Sequence, residues 1–300
     1  MNLAVNFAGV EMRNPVTTAS GTFGSGAEYK DFVDLNKLGA VTTKGVASVP
    51  WKGNKTPRIC ETYGGMLNAI GLQNPGIDLF IERDIPFLKQ YNTKIIVNIC
   101  GRTPEEYVEV VRRLADKDVD LLEINISCPN VKAGGIAFGQ KPELARQVTD
   151  KVKQYAKQPV IMKLSPNVTD ITEMAKAVEA GGADAISLIN TLTGMKIDIN
   201  KRTFALANKT GGLSGPAIKP VAVRMVYQAA HAVKIPVLGM GGIRNAEDAL
   251  EFIMAGATMI AVGTANFNNP CATEDVINGI GQFMDKNGVK DINELIGCVE

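Results

Sequence analysis

Short apolar runs alternate with longer amphipathic segments along most of the chain. The apolar runs are rich in Val, Ile and Leu, which is typical of strands buried on both faces of a parallel sheet. We predict main strands near residues 17, 42, 96, 123, 161, 187, 237 and 260. Helices are predicted near Asp31–Asn36 and then over Ile77–Lys89, 103–116, Pro142–Ala156, 170–181, Pro216–Ala232, 245–256 and Ala272–Lys286. Strands that alternate with helices form a parallel sheet with right-handed crossovers.

Eight such units in about 250 residues predict an α/β fold, a closed (β/α)₈ TIM barrel. A doubly wound open sheet is the alternative, but no Gly-x-Gly-x-x-Gly follows the first strand and no Walker A run is present. No linker divides the chain, so residues 1–300 are predicted to form one domain. A short N-terminal hairpin (Leu3–Phe7 and Val10–Met12) and two excursions, around residues 48–76 and 192–215, are added to the barrel.

Composition narrows the class of protein. The apolar fraction is 45% and the net charge is +1, without a basic block, so neither nucleic acid nor an anionic membrane is expected as a partner. No apolar run is long enough to span a bilayer, and no signal peptide is recognisable. The five cysteines are widely spaced without C-x-x-C, which argues against disulfides, zinc or a ligated iron–sulfur cluster. A cytoplasmic protein without a metal site is therefore expected, and the single histidine, His231, is expected to be structural.

One strand ends in an unusual turn. The apolar run Leu121–Ile126 leads into Ser127-Cys128-Pro129-Asn130, and Pro129 cannot continue a sheet. A cysteine is thereby held at a strand end beside amide side chains, where a thiol can act as a base or a nucleophile. A small buried hydrophobe is the other interpretation of Cys128, and the stretch alone leaves both open.

Polar residues gather at the ends of the other predicted strands. In a (β/α)₈ barrel these ends form the active-site face. The residues predicted there are Ser20, Lys44, Asn98, Asn125, Cys128, Lys163, Asn190, Thr191, Gly241, Gly242, Gly263 and Thr264. Burying such a set without a ligand would leave many polar groups unsatisfied.

These residue types indicate a phosphorylated ligand and a small polar ring. Glycines after strands seven and eight, at 241–242 and 263, suit phosphate binding by backbone N–H groups. The amides of Asn68, Asn125, Asn130 and Asn190 match the edge of a planar amide or imide. Lys44 could pair with a carboxylate, and Lys163 could stabilise negative charge on a bound ring.

Several of these motifs together resemble the class 1 dihydroorotate dehydrogenases, flavin barrels of pyrimidine biosynthesis. The motifs are Asn125–Asn130, Asn68–Gly76, Lys163–Asn167, Gly239–Ile243 and Val262–Ala265, and the resemblance covers essentially the whole chain. The stretch Asn130–Gly139 is similar to the 1B subclass, which passes electrons to NAD through a partner subunit. Gln140 departs from the threonine expected there.

The resemblance implies one non-covalently bound FMN per chain. Its phosphate would lie against Gly241, Gly242, Gly263 and Thr264, and its ring near Ser20, Lys44, Gly45, Asn98, Asn125, Lys163, Ile189 and Gly215. Dihydroorotate would be held by Lys44, Asn68, Ala69, Ile70, Gly71, Leu72, Asn125, Asn130, Asn190 and Thr191. Cys128 would remove the C5 proton while a hydride leaves C6 for flavin N5.

The chain lacks a dinucleotide fingerprint and an iron–sulfur cysteine cluster, so reduced FMN must pass its electrons to an acceptor outside this polypeptide. The 1B resemblance implies a partner subunit with FAD and [2Fe–2S], bound to a homodimer of this chain in a heterotetramer. Three alternatives remain open: the fumarate-using 1A reaction, a phosphate-binding barrel lyase or isomerase with a Schiff-base Lys163, and a non-catalytic flavin-binding scaffold.

Overall fold

The computed structural model describes residues 1–127 and 138–299. The strands are β1 Val5–Phe7, β2 Val10–Met12, β3 Val16–Thr18, β4 Ala40–Thr42, β5 Ile59–Thr62, β6 Gly65–Asn68, β7 Lys94–Ile99, β8 Leu121–Asn125, β9 Val160–Lys163, β10 Ala185–Leu188, β11 Leu192–Met195, β12 Ile197–Asp198, β13 Thr203–Phe204, β14 Thr210–Ser214, β15 Val237–Met240 and β16 Met259–Val262. The α-helices are α1 Ile77–Leu79, α2 Ile85–Leu88, α3 Pro104–Leu114, α4 Pro142–Lys153, α5 Ile171–Ala180, α6 Lys219–Ala230, α7 Ala246–Met254, α8 Ala265–Asn268 and α9 Ala272–Asn287. A π-helix, Phe80–Asp84, joins α1 to α2, and 3₁₀ helices span Leu35–Lys37, Phe138–Gln140, Pro216–Ile218 and Ile292–Leu295.

The central sheet is the predicted parallel barrel. Its eight strands follow the order β3-β16-β15-β10-β9-β8-β7-β4, and every ladder in it is parallel. Strands β8, β9, β10, β15 and β16 are buried along their whole length. Helices cover the outside of the sheet, so both faces of these strands are buried. Their sequences are therefore mostly apolar and do not alternate between apolar and polar residues. The expected (β/α)₈ architecture is confirmed.

Threonine side chains close the barrel between its first and last strands in the sheet order. Thr17 Oγ1 donates to the carbonyl of Ala40 at 2.9 Å and lies 3.0 Å from Thr42 Oγ1. The backbone N–H of Thr42 donates to Thr18 Oγ1 at 3.2 Å. These bonds satisfy buried polar groups where β3 and β4 have no continuous backbone ladder between them.

The first predicted helix is wrong. The segment Asp31–Asn36 contains turns, and only the 3₁₀ helix Leu35–Lys37 follows. Asp34 has an extended backbone, and its carboxylate accepts the N–H of Asn36 at 3.0 Å. A capping side chain in the middle of the segment starts a new turn there, which prevents a continuous helix.

The two excursions form one structural unit. Strands β5 and β6 from the first excursion join β11 and β14 from the second in a four-stranded antiparallel sheet. The contact between them pairs Leu67 with Leu213. Leu67, Ala69 and Leu206 form a small apolar core of this sheet. The N-terminal hairpin of β1 and β2 is also present.

The helices within the described ranges include none with both the length and the apolar character that a membrane span requires.

Candidate active site

A cavity of about 920 Å³ lies at the carboxyl ends of the barrel strands. Every residue predicted to hold FMN lines it: Ser20, Lys44, Gly45, Asn98, Asn125, Lys163, Ile189, Gly215, Gly241, Gly242, Gly263 and Thr264. The carboxyl ends of parallel strands meet at one edge, so residues far apart in sequence converge there. The size falls in the range of small-molecule and cofactor sites.

The residues predicted for the substrate divide into three groups. Lys44, Asn68, Ile70, Gly71, Leu72, Asn125, Asn190 and Thr191 line the same cavity. Ala69 does not, because it is fully buried against Leu67 and Leu206 in the small sheet. Successive side chains in extended chain point to opposite sides, which turns Ala69 away while its neighbours face the cavity. Asn130 lies outside the described residues, as does Cys128, the predicted catalytic base.

Asn98 presents a buried acceptor without a partner. Its Nδ2 donates to Glu123 Oε2 at 2.5 Å, whereas Oδ1 is buried and accepts no hydrogen bond. A Cβ on Gly45 would lie only 2.8 Å from that oxygen, so glycine keeps the space beside it open. Buried carbonyl oxygens in proteins are nearly always hydrogen-bonded. This oxygen is therefore available to accept a hydrogen bond from a ligand N–H.

Glu123 is an important residue that the sequence analysis did not single out. It lies on β8 with no exposed surface, and it accepts hydrogen bonds from Asn98 and from Ser187 Oγ at 2.7 Å. Lys163 Nζ lies 3.5 Å from Glu123 Oε2. The available signal was a lone charged residue inside an apolar central strand, since such residues are almost never buried unless paired.

Two amides are fixed where β8 and β10 end. Asn125 Oδ1 accepts from Ser127 Oγ at 2.9 Å and from Asn190 Nδ2 at 3.4 Å. The carbonyl of Asn125 accepts the hydroxyl of Tyr107 at 2.9 Å, and Asn190 Oδ1 accepts the N–H of Thr191 at 2.7 Å. These bonds restrict both side chains before any ligand binds, which reduces the ordering cost of recognition.

Three glycines with left-handed backbones surround the other end of the cavity. Gly215, Gly241 and Gly242 have φ of 100°, 128° and 84°. A Cβ on Gly242 would lie 2.8 Å from Lys219 Cβ and 2.9 Å from the carbonyl oxygen of Gly215. Only glycine fits this backbone without strain. The bare main chain can therefore approach a ligand closely, as phosphate binding requires.

A charged cluster supports this glycine loop. Lys219 Nζ contacts Asp248 at 2.7 Å and Glu251 at 2.5 Å. Burial alone would lower the pKa of Lys219 and raise that of Asp248. The ion-pair contacts outweigh burial, so the pKa of Lys219 lies above its usual range and the pKa of Asp248 lies below its own. Arg244 lies 3.5 Å from Asp248 and lines the cavity, although the sequence analysis did not select it. Its only sequence signal is its place two residues after the glycine pair.

Comparisons with known proteins agree with this arrangement. A family model described as dihydroorotate dehydrogenase matches residues 2–284. The chain is 73% identical over 300 residues to "Dihydroorotate dehydrogenase B (NAD(+)), catalytic subunit" of Lachnoclostridium phytofermentans, with 100% of both chains covered. It is 68% identical over 299 residues to the protein of the same name from Alkaliphilus metalliredigens, covering 100% of this chain and 99% of that one.

A solved structure supports the fold. The crystal structure of DHODH in complex with ferulenol from Eimeria tenella aligns with a TM-score of 0.83 at 22% identity, covering 99% of this chain and 88% of that one. At this identity the likeness concerns the barrel architecture.

Proposed function

Because the chain belongs to the dihydroorotate dehydrogenase family, we propose that it is the catalytic subunit of an NAD-linked enzyme that oxidises dihydroorotate to orotate in pyrimidine biosynthesis. The proposal is carried by one observation: all of the expected FMN residues, and eight of the ten expected substrate residues, line one cavity. Two full-length relatives above two-thirds identity carry the name of the NAD-linked catalytic subunit, which favours it over the fumarate-using 1A reaction.

The cavity fits FMN by the chemistry of its walls. The isoalloxazine ring carries an imide N–H, and Asn98 Oδ1 is a buried acceptor without a partner. Gly241, Gly242, Gly263 and Thr264 would hold the phosphate through their backbone N–H groups, with Arg244 as a nearby cation. When bound, FMN supplies a two-electron acceptor for a hydride. Lys163 pairs with a buried carboxylate, which suits a fixed charge beside the ring better than a Schiff-base nucleophile.

The residues of the chain would bind the substrate and move its proton. Lys44 would pair with the carboxylate of dihydroorotate, while Asn68, Asn125 and Asn190 would hold the edge of its ring. Cys128 follows Ser127 directly and would accept the C5 proton as general base. Lys163 would stabilise the negative charge that arrives with the hydride.

The proposal includes a partner subunit that receives the electrons and a cytoplasmic location. Electrons would pass to a subunit that carries FAD and [2Fe–2S], bound to a homodimer of this chain in a heterotetramer. The relatives' name, "catalytic subunit", supports a separate partner. A reducing cytoplasm is consistent with Cys60, Cys271 and Cys298, which are free thiols.

A coupled assay tests this proposal. The purified chain with FMN and dihydroorotate should reduce NAD only when the electron-transfer subunit is added. Fumarate should not replace that subunit as an efficient acceptor. Rapid turnover with fumarate and none with NAD plus the subunit would reject the NAD-linked assignment in favour of the 1A reaction.

Gly242→Ala is expected to weaken FMN binding. The new Cβ meets Lys219 and the carbonyl of Gly215 on a left-handed backbone. The strain amounts to about 1–3 kcal/mol, and the displaced loop should reduce FMN affinity by about tenfold or more. Fluorescence titration of FMN into apoprotein measures the effect.

Gly281→Ala is the matched control, because a Cβ there meets nothing within 4 Å and the residue lies inside α9. This variant should bind FMN normally and gain about 0.5–1 kcal/mol of stability. Equal FMN affinity in the two variants would remove Gly242 from the proposed phosphate site.

A further inference from the structure

Glu123 is a buried carboxylate directly linked to two residues that line the cavity. On the premise of the proposed function, we propose that Glu123 is a positioning residue with two effects. It fixes the orientation of the Asn98 amide, and it lowers the reduction potential of bound FMN by offsetting the charge of Lys163. Glu123 itself does not line the cavity, so it acts through these neighbours.

Donors from three strands converge on this one carboxylate. Asn98 is on β7, where it pairs in register with Glu123 of β8. Lys163 is on β9 and Ser187 is on β10. Ser187 Oγ donates to Oε1, while Asn98 Nδ2 and Lys163 Nζ both approach Oε2. The two oxygens therefore have different partners: Oε2 contacts two residues that line the cavity, and Oε1 accepts from Ser187, which does not.

The carboxylate determines which end of the Asn98 amide is available to a ligand. A carboxylate is an acceptor, so it holds the Nδ2 end at 2.5 Å. The Oδ1 end is left buried and without a partner. If Glu123 lost its acceptor, the amide could turn and offer N–H groups in place of an oxygen. A ligand N–H would then meet a donor.

The carboxylate also sets the charge beneath the cavity. In the described ranges, Glu123 is the only carboxylate within 4 Å of Lys163 Nζ, and both side chains are almost fully buried. Two-electron reduction adds negative charge to FMN. Lys163 favours that change and Glu123 opposes it, so removing only the negative charge should make reduction easier.

Glu123→Gln separates charge from shape. A glutamine oxygen at the Oε2 position still accepts from Asn98 and Lys163, while its amide nitrogen can donate to Ser187 Oγ. In the holoprotein, the ratio of reduced to oxidised FMN at a fixed ambient potential should rise about tenfold or more. For a two-electron couple this corresponds to about 30 mV. FMN affinity should stay within about threefold of the wild-type value.

The potential is measured by anaerobic equilibration with a reference dye, with an electron source other than dihydroorotate. Ser187→Ala is the control, since it removes one hydrogen bond and keeps the charge. Its potential should match the wild-type value. A Glu123→Gln potential equal to wild type, or an equal shift in Ser187→Ala, would overturn the charge role.

Glu123→Met tests the orientation of Asn98, because methionine fills similar space without an acceptor. FMN affinity should fall about tenfold or more below that of Glu123→Gln. Equal affinities would overturn the orientation role. If the methionine variant does not fold, Asn98→Leu in the wild-type background provides a second test, because it removes the oxygen that Glu123 orients: FMN affinity should fall about tenfold or more, and unchanged affinity would overturn the orientation role. A wild-type protein that binds no FMN would instead reject the proposed function.

Discussion

Cys128→Ser is expected to slow the reduction of bound FMN by dihydroorotate about 10²–10⁴-fold at pH 7, the usual contribution of a general base. A thiol has an ordinary pKa near 8.5, whereas a serine hydroxyl ionises only far above it. The serine variant should therefore recover as the pH rises, while FMN stays bound. Stopped-flow absorbance under anaerobic conditions, from pH 6 to pH 10, measures the rate directly.

Cys298→Ser controls for thiol loss alone, because that cysteine is exposed. It should reduce FMN at the wild-type rate. If Cys128→Ser also showed wild-type kinetics at neutral pH, Cys128 would have no part in proton removal, and another base would have to be sought.

Lys163→Ala should have the second largest effect. The change removes the cation that would stabilise reduced FMN, and we expect reduction to slow about 10²–10³-fold, as when a preorganised charge-stabilising donor is removed. It also leaves Glu123 buried without its counter-charge, which should destabilise the fold by about 3–5 kcal/mol. Flavin reduction kinetics and denaturant unfolding measure the two effects separately.

A double variant distinguishes chemistry from folding. In Lys163→Ala with Glu123→Gln, no unpaired charge remains, so much of the stability should return. The reduction rate should recover only in part, because Lys163 lines the cavity and Glu123 does not. Lys151→Ala, which breaks an exposed ion pair with Glu105, should change neither quantity appreciably. A double variant that reduces FMN at the full wild-type rate would show that the Lys163 charge has no role in reduction beyond balancing that of Glu123.

The barrel and most of its cavity were predictable because both follow from local patterns. Buried apolar runs mark the strands, and residues at their ends, such as Lys44 and Asn190, must converge when parallel strands close into a barrel. The glycines at 241 and 242 were predictable from the turn after a strand, and both have positive φ.

Other features depend on contacts between distant segments. The pairing of Leu67 with Leu213 joins the two excursions, and no local pattern specifies that register. The same sheet turns Ala69 into its own core and away from the cavity. The role of Glu123 depends on its contacts with Asn98, Lys163 and Ser187, which lie on three other strands.

The central claim is that this cavity binds FMN and that dihydroorotate reduces it within this chain. Anaerobic titration of the FMN-loaded protein with dihydroorotate, without the partner subunit, tests it most directly. We expect the visible absorbance of oxidised flavin to bleach as about one dihydroorotate per FMN is added, with orotate as product. A protein that takes up no FMN, or a bound flavin that keeps its oxidised spectrum in excess dihydroorotate, would contradict it.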